Sequence, residues 1–197
     1  MHRGLEPGGA IAASLLALSL ATACAKDPPP PAPAKEHGER LALGSASVEL
    51  PVGARLKSDA IGDPDSVKAS HLYELTNHSA LLVQELANAD KNCDAYLDAL
   101  FAAESKSKND DGLKPIRSVE ILSRHVVNGA KAVYVEAGMR SPMELKIGRP
   151  YRAVVLLTIC DPGAVVSISA SARTPGPVTV EMRNTVEEMA ASLTLKK

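Results

Sequence analysis

One segment, residues 151–160, restricts the fold of this chain more than any other part of the sequence. Both faces of the strand predicted here carry apolar side chains. One face has Ala153, Val155, Leu157 and Ile159, and the other has Val154, Leu156 and Cys160. A strand with two apolar faces is buried on both, because either face would otherwise leave its apolar area in water. The sheet that contains this strand therefore needs a covering layer on each side.

Neighbouring segments supply partners for this strand. Residues 119–127 and 130–139 are extended runs on either side of an Asn-Gly pair at 128–129, which is typical of a type I′ turn with positive φ at both central residues. Residues 164–173 follow the central strand after a turn that contains Pro-Gly, which predicts a second hairpin. Three earlier strands are predicted at residues 46–50, 71–76 and 80–86.

Two segments have the periodicity of amphipathic helices. The first follows a cap at Asp90 or Asn92 and continues to about Lys106. Its apolar stripe comprises Tyr96, Leu97, Leu100 and Phe101, and its predicted outer side comprises Asp94, Asp98 and Glu104. The second helix, residues 178–195 after Pro177, has a stripe of Met182, Val186, Met189 and Leu193.

Together these elements predict an α+β fold. Because the central strand is apolar on both faces and two amphipathic helices are available, we expect a three-layer α/β/α sandwich. Its sheet is predicted to be mostly antiparallel, with six or seven strands and helices on both faces.

The N-terminal segment has the composition of an export signal. Positive charge from Met1, His2 and Arg3 precedes an apolar run over residues 10–20. That run is shorter than the roughly 20 residues that a membrane-spanning helix needs. Residues 21–23, Ala-Thr-Ala, form an A-x-A site at which ordinary signal peptidase would release a soluble product.

The sequence Leu20-Ala21-Thr22-Ala23-Cys24 also resembles the lipobox of bacterial lipoproteins. This resemblance implies that residues 1–23 are a lipoprotein signal peptide and that Cys24 is lipidated. Two or more acyl chains anchor a protein stably, so the chain would stay on a membrane of the cell envelope and face the periplasm. Ala at position 25, in place of Asp, implies the outer membrane rather than the inner membrane. Lipidation and ordinary cleavage both remain open at this stage.

Residues 24–40 are predicted to be a tether. This segment is rich in proline, with Pro28, Pro29, Pro30, Pro31 and Pro33. Proline fixes φ and removes a hydrogen-bond donor, so such a run favours an extended spacer over a packed element. Residues 41–197 then remain as a single folded domain.

Composition excludes several classes of partner. The formal net charge is -1, from 22 basic and 23 acidic residues, which provides no positive surface for nucleic acid. The chain has no Trp, one Phe and four Tyr, so it has few aromatic side chains on which bases or sugars could stack. We therefore expect no nucleic-acid partner.

Two cysteines lie in the predicted folded domain. Cys93 begins the first predicted helix, and Cys160 ends the central strand. In an oxidising periplasm this pair favours a disulfide, which would stabilise the fold by roughly 4 kcal/mol in the chain-entropy model. The alternative is that both are buried thiols that act as small apolar groups.

Residues with catalytic or metal-binding potential do not form a complete site in the sequence. Residues 105–108 contain the S-x-x-K spacing of penicillin-recognising enzymes, but the accompanying S-D-N and K-T-G motifs are missing. His71, His78 and His125 have no ligand partner at helical or hairpin spacing. Residues 109–112, N-D-D-G, lack the later Glu of a calcium loop. We therefore predict no catalytic residue, no metal and no cofactor.

The order of elements over residues 46–195 resembles the PsbP-like and DcrB-like families. Two turn motifs contribute to this resemblance, L-P-x-G at residues 50–53 and N-G-A-K-A at residues 128–132. The resemblance implies that residues 41–197 are a PsbP-like/DcrB-like domain. It also implies a non-enzymatic accessory or binding protein at a membrane surface, without shared catalytic residues.

Two functions remain as hypotheses. The first is a membrane-anchored, non-enzymatic envelope lipoprotein that acts as an accessory or protein-interaction module. Its partners would be the membrane, through the lipid anchor, and an envelope protein. The alternative is a periplasmic carrier of a small apolar ligand, held in a pocket between the sheet and a helix.

Overall fold

A computed structural model of the protein describes residues 38–59, 66–77, 79–86, 92–108 and 117–196. In chain order the elements are β1 (Arg40–Ala42), β2 (Ala46–Glu49), β3 (Arg55–Ser58), β4 (Val67–Glu74), β5 (Ala80–Leu86), α1 (Cys93–Lys108), β6 (Arg117–Val127), β7 (Ala130–Met139), α2 (Pro142–Lys146), β8 (Arg152–Asp161), β9 (Ala164–Ser171), α3 (Val180–Ser192) and β10 (Thr194–Leu195). The described residues belong to a compact unit, residues 35–197, which contains both hydrophobic clusters. The predicted signal peptide and Cys24 lie outside the described residues.

Strand β8 lies inside the main sheet, between β9 and β7. This sheet has seven strands in the order β3-β4-β5-β9-β8-β7-β6, and each neighbouring pair is antiparallel. Val155 and Ile159 are buried on one face of β8, and Val154 and Cys160 are buried on the other. The predicted burial of both faces is confirmed, and the fold is α+β with a seven-stranded antiparallel sheet.

Helix α3 completes the larger hydrophobic cluster. Met182, Val186 and Met189 of α3 are buried in the same cluster as Val155 and Leu157 of β8. The helix is shorter than the predicted residues 178–195, and the prediction was wrong at both ends. Its N-cap is Thr179, whose Oγ1 accepts a hydrogen bond from the Met182 backbone N–H at 3.3 Å. After Ser192 the chain becomes extended and continues into β10.

Helix α1 completes a second cluster, formed by the other alternate residues of β7 and β8. Leu97 of α1 packs with Val133 and Val135 of β7, whereas the intervening Tyr134 belongs to the first cluster. One of the two predicted caps is observed, because Asn92 Oδ1 accepts from the backbone N–H groups at positions 94 and 95, at 3.1 and 3.2 Å.

The predicted outer side of α1 needs one correction. Glu104 is only 7% exposed, so its side chain is buried rather than facing solvent. Helical periodicity places Glu104 seven residues after Leu97, which itself is buried, and two turns of helix return it to the same side.

The first predicted strand, residues 46–50, was expected in the main sheet, but it lies in a second sheet of three strands. Strand β2 is observed where a strand was predicted, but it pairs with β1 and β10 rather than with the main sheet. Ala46 and Val48 of β2 pack in the cluster that contains α3. The seventh strand of the main sheet is β3, which was not predicted and which begins immediately after the L-P-x-G turn.

A buried carboxylate joins the two sheets. Glu85 of β5 is buried, and it accepts hydrogen bonds from the Ser45 backbone N–H at 3.0 Å and the Ser45 hydroxyl at 2.8 Å. Burial alone would raise the pKa of Glu85, but the hydrogen bonds from residue 45 outweigh it, with help from Lys68, and the pKa is lowered. The turn between β1 and β2 is therefore held against the end of β5.

The hairpin of β6 and β7 has the predicted turn and also contacts α3. Asn128 and Gly129 have φ angles of 50° and 85°, as a type I′ turn requires. The Asn128 side-chain amide donates to the backbone oxygens of Leu193 at 2.9 Å and Ala191 at 3.1 Å. The last carbonyls of a helix have no partner within the helix, so this amide caps the C-terminal end of α3.

A polar network holds α3 to β7. Glu136 is 3% exposed, and it receives two hydrogen bonds of 2.7 Å from the Arg183 guanidinium and one of 2.8 Å from the Tyr134 hydroxyl. The Arg183 hydrogen bonds dominate over burial and lower the pKa of Glu136. Burial and donation to Glu136 raise the pKa of Tyr134. All three polar groups are thus satisfied within the fold.

The predicted disulfide is present. Cys93 and Cys160 are joined by an S–S bond of 2.07 Å, with their Cα atoms 5.5 Å apart. The bond connects the first residue of α1 to the central strand across a sequence separation of 67 residues. It therefore fixes one end of α1 to the sheet.

Removal of this disulfide is expected to destabilise the folded unit. The double variant Cys93→Ala/Cys160→Ala should lower the free energy of unfolding by up to about 4 kcal/mol, because its unfolded chain is no longer restricted by the cross-link. Urea unfolding of the variant and of oxidised and reduced wild-type protein measures this loss. Alkylation of Cys93 and Cys160 in unfolded, unreduced wild-type protein would show that the bond does not form.

The Glu136 network predicts an acid-sensitive contribution to stability. Because folding lowers the pKa of Glu136, its contribution is complete above the unfolded value of about 4.3 and is lost as pH falls through the folded value. Glu136→Gln should cost about 2 kcal/mol at neutral pH and flatten the loss of stability below about pH 4. The control is Glu120→Gln, at an exposed position of β6. An acid slope equal to that of wild-type protein in the Glu136 variant would contradict this account.

Candidate functional site

The S-x-x-K pattern at residues 105–108, to which no catalytic role is assigned, lies in the last turns of α1. The Ser105 hydroxyl donates to the Phe101 backbone oxygen at 2.8 Å, within α1. That interaction is the ordinary return hydrogen bond of a serine in a helix, and it supplies no general base. Residues 109–112, the weak calcium-loop pattern, lie outside the described residues.

The histidines are not brought together by the fold. His71 Nδ1 lies 3.0 Å from Asp59 Oδ1, and His125 Nε2 lies 2.8 Å from the Ser123 hydroxyl. They belong to β4 and β6, which are separated by four strands in the sheet order. Within the described ranges no group of three or more His, Cys, Asp and Glu residues could hold a metal ion. His78 and Cys24 lie outside these ranges.

The connection between β7 and β8 is held by several specific hydrogen bonds and an ion pair. We call residues 140–151 the tip. No helix is predicted from the sequence in this segment, but the segment contains the short helix α2, Pro142–Lys146. The tip lies at the end of the main sheet where β7 stops and β8 begins.

A capping box starts the tip helix. The Ser141 hydroxyl accepts from the Glu144 backbone N–H at 3.2 Å, and the Glu144 carboxylate accepts from the Ser141 backbone N–H at 2.7 Å. Pro142 occupies the first helical position, where its missing N–H costs nothing. Backbone donation from Ser141, together with the nearby Arg152, lowers the pKa of Glu144. The spacing S-x-x-E was the sequence signal that could have revealed this helix.

A glycine ends the tip helix. Gly148 has a φ of 69°, in the left-handed region that closes helices at low cost for glycine. The backbone N–H of Ile147 donates to Met143 O at 3.1 Å, and that of Arg149 donates to Glu144 O at 2.9 Å. Both ends of this short helix are therefore specified by the local sequence.

The base of the tip is braced by Arg140 and Tyr151. Arg140 is buried, its guanidinium lies 4.1 Å from the centroid of the Tyr151 ring, and it donates to the Tyr151 hydroxyl at 2.8 Å and to Arg149 O at 3.2 Å. Gly138 makes room for the ring, because a Cβ there would lie 2.7 Å from the Tyr151 Cβ. Arg152 adds an ion pair of 2.9 Å to Glu144.

This scaffold presents apolar and basic side chains to solvent. Met143 is 66% exposed and Ile147 is 56% exposed, and they lie one helical turn apart. Lys146 and Arg149 are also exposed, and neither has an ion-pair partner among the described residues. The sheet, the capping box and the Arg140 brace thus hold two large apolar groups in water beside two cations. The arrangement can support contact with another surface.

The carrier hypothesis requires a pocket between the sheet and a helix, and two grooves beside α3 are candidates for it. One, of about 520 Å³, lies between β2 and α3 and is lined by apolar residues and carboxylates, including Leu50, Val52, Met189, Glu49 and Glu188. The other, of about 260 Å³, lies between the β6–β7 hairpin and α3 and includes His125, Tyr134 and Glu187. The first is within the range of about 300–1,000 Å³ that is usual for ligand pockets, and the second is smaller than that range.

No described helix has both the length and the apolar composition needed to cross a membrane. Neither a protein-family model nor a curated protein sequence matches the chain.

Solved structures share the fold. The chain is similar to a crystal structure from Bacteroides thetaiotaomicron VPI-5482, with 16% identity and a TM-score of 0.52 over 82% of this chain and 50% of that chain. It is also similar to the solution structure of cyanobacterial PsbP (CyanoP) from Synechocystis sp. PCC 6803, with 13% identity and a TM-score of 0.51 over 80% of this chain and 91% of that chain. This chain spans half the length of the Bacteroides chain. At these identities the similarity shows a PsbP-like fold alone.

The tip predicts a difference between two glycine substitutions. A Cβ at Gly148 or Gly176 would meet no atom within 4 Å, but only Gly148 has a positive φ. Gly148→Ala should therefore strain the tip by about 1–2 kcal/mol, whereas Gly176→Ala should not. Hydrogen exchange at Ile147 and Arg149 is expected to become about tenfold faster in the first variant only. Equal exchange in both variants would show that Gly148 does not set the tip conformation.

Proposed function

We propose that this chain is a lipid-anchored, non-enzymatic protein of the cell envelope, whose folded unit works as an accessory or interaction module at a membrane surface. Cys24 would carry the acyl chains, residues 24–40 would be the tether, and residues 41–197 would be the module. In this proposal the protein faces the periplasm, on the outer membrane rather than the inner membrane. Its partners are that membrane and an envelope protein.

The observation that carries this proposal is the exposed pair Met143 and Ile147 on the braced tip. Large apolar side chains in water are ordinary when they are scattered singly. Here Met143 lies on the five-residue helix α2 and Ile147 directly follows that helix, which is capped at both ends and braced at its base. A local structure with so many specific interactions, and with Met143 and Ile147 left exposed, supports a role in contact with a second surface.

The use of the buried polar groups supports a non-enzymatic role. The carboxylates of Glu85, Glu136 and Glu144 accept hydrogen bonds that join sheet to sheet, join helix to sheet, and cap the first turn of α2. Each lowered pKa is therefore accounted for by a structural partner. We propose that the polar chemistry of the described residues serves the fold rather than a reaction.

We also propose the three-layer α/β/α arrangement for the module. The division of buried residues into two clusters supports it, because Val133 and Val135 pack with α1 while Tyr134 packs with α3. Successive residues of a strand point to opposite faces of the sheet. Two covered faces would leave loops and edges, including the tip, as the surfaces that meet partners.

A small-ligand carrier is the second candidate. The groove between β2 and α3, of about 520 Å³, favours it, because its volume is sufficient for a small molecule. Glu49 and Glu188 in its lining favour a ligand with polar groups over a purely apolar one. The groove is open to solvent, so we place this function second.

The proposed function predicts the form of the protein in its native host. The membrane fraction should contain a chain that begins at Cys24 and has added acyl mass, while Cys24→Ser should carry no acyl mass. Mild crosslinking should link the wild-type protein to the same envelope proteins reproducibly and should lose those links in Cys24→Ser. Intact mass spectrometry and crosslinking measure both results.

An unmodified chain in the soluble fraction would contradict the lipid anchor and would favour cleavage after the A-x-A site at residues 21–23. A bound small molecule in the native mass spectrum of that soluble chain would replace the proposal with the carrier function.

A further inference from the structure

We infer that the tip docks on an anionic lipid surface, with Met143 and Ile147 inserted among the headgroups and Lys146 and Arg149 paired with lipid phosphates. This inference rests on the proposed function, because it names the surface that the tip contacts. Its first support is the character of the exposed groups. A short amphipathic segment with apolar side chains beside Lys and Arg has the composition that binds the membrane interface.

The charge of the tip complements an anionic surface. The tip contains three basic residues, Arg140, Lys146 and Arg149, against the single acidic residue Glu144. Glu144 is occupied by Ser141 and Arg152, and Arg140 is buried against Tyr151. Lys146 and Arg149 therefore remain as exposed cations, although the whole chain has a net charge of -1. The exposed charged side chains of the tip are therefore both basic.

The small size of the apolar group favours lipid over a protein partner. A stable protein interface buries about 800 Å² on each partner, which two side chains cannot supply. Insertion into a headgroup layer needs no complementary pocket, because lipids rearrange around each side chain. A rigid helix end that offers Met143 and Ile147 together suits this kind of contact.

Other exposed apolar residues lie at the same end of the fold. The paired residues Glu74, Ala80, Ser171, Val154 and Ala137 form one row across the sheet, close to the start of the tip. Val52 precedes β3 at this end of the sheet, and Val180 is the first residue of α3; both are exposed. A membrane that meets the tip would face this end of the sheet.

The proposed tether is long enough for the tip to face the membrane in which the acyl chains of Cys24 would be inserted. Residues 24–38 can span at most about 50 Å when fully extended. The ten residues of β7 extend only about 30 Å from the tip to the far end of the sheet. The acylated Cys24 and the tip could therefore contact the same membrane.

Vesicle binding by residues 35–197 tests the inference without the acyl anchor. This unit contains the complete described fold, both clusters and the disulfide. The probe is cosedimentation with vesicles of equal parts phosphatidylethanolamine and phosphatidylglycerol, and neutral phosphatidylcholine vesicles are the comparison. Lys146→Gln/Arg149→Gln should weaken binding about fivefold for each charge removed. Met143→Ser/Ile147→Ser should weaken it at least about tenfold.

Matched controls come from the opposite end of the sheet. Val126 is 72% exposed and Lys131 is its strand partner, so Val126→Ser and Lys131→Gln change the same kinds of group about 30 Å away. These controls should bind as the wild-type unit does, and thermal unfolding should show that all variants are folded.

Equal vesicle binding by the tip variants and the wild-type unit would overturn the inference. So would equal binding to neutral and anionic vesicles, or no binding to either. In another outcome, residues 35–197 do not bind vesicles, but the tip substitutions in the full acylated protein abolish its crosslinks to envelope proteins. This outcome would show that the tip contacts a protein. That result would overturn lipid docking while leaving the proposed function in place. If Cys24 is not acylated, the proposed function is contradicted but lipid docking by the tip is not, because the vesicle assay does not depend on acylation.

Discussion

Burial of β8 on both faces is the constraint on which the other elements depend. Val155 and Val154 are neighbours in the chain, yet both are buried and they point to opposite sides of the sheet. Each face therefore needs its own apolar cover. On one side Met182 and Val186 of α3 provide it, and the second cluster contains Leu97 of α1.

The polar interactions of the core make this covering specific. Hydrophobic burial is not directional, so it does not by itself determine where a helix lies along a sheet. Arg183 with Glu136 fixes the first part of α3, and the Asn128 amide fixes its last turn. The disulfide between Cys93 and Cys160 does the same for the first residue of α1. Directional bonds thus set the position of elements that apolar packing brings together.

Much of the fold could be predicted from the sequence, because periodicity and turn chemistry are local. Local patterns correctly predicted three features: the apolar stripe around Val186, the Asn128-Gly129 turn and the extent of β5. The strands that pair with β2 could not be predicted, because the alternation of apolar residues in β2 shows which side chains are buried but not which strand lies beside it. Glu104 was assigned to the wrong side of α1 for another reason, because its charge was given more weight than its helical position seven residues after Leu97.

The candidate site was missed for a different reason. Hydrophobic periodicity needs several turns to become visible, and α2 has five residues. Its specification lies in single hydrogen bonds, such as those between Ser141 and Glu144, and in a contact between Arg140 and Tyr151 that only the folded hairpin creates. Exposure of Met143 also depends on tertiary structure. A capping-box search would have found the helix, but not its role as a braced, exposed tip.

The central claim is that the tip is the surface with which this module meets a membrane. The most direct measurement is the depth of a nitroxide spin label in the full-length protein, with the proposed acyl chains on Cys24, on vesicles of native lipids. One label is attached at Met143→Cys and a reference label at Val126→Cys. The account predicts that the label at position 143 is shielded from a water-soluble relaxing agent and accessible to oxygen, while the label at position 126 is fully accessible from water. Equal access from water at both positions would contradict it.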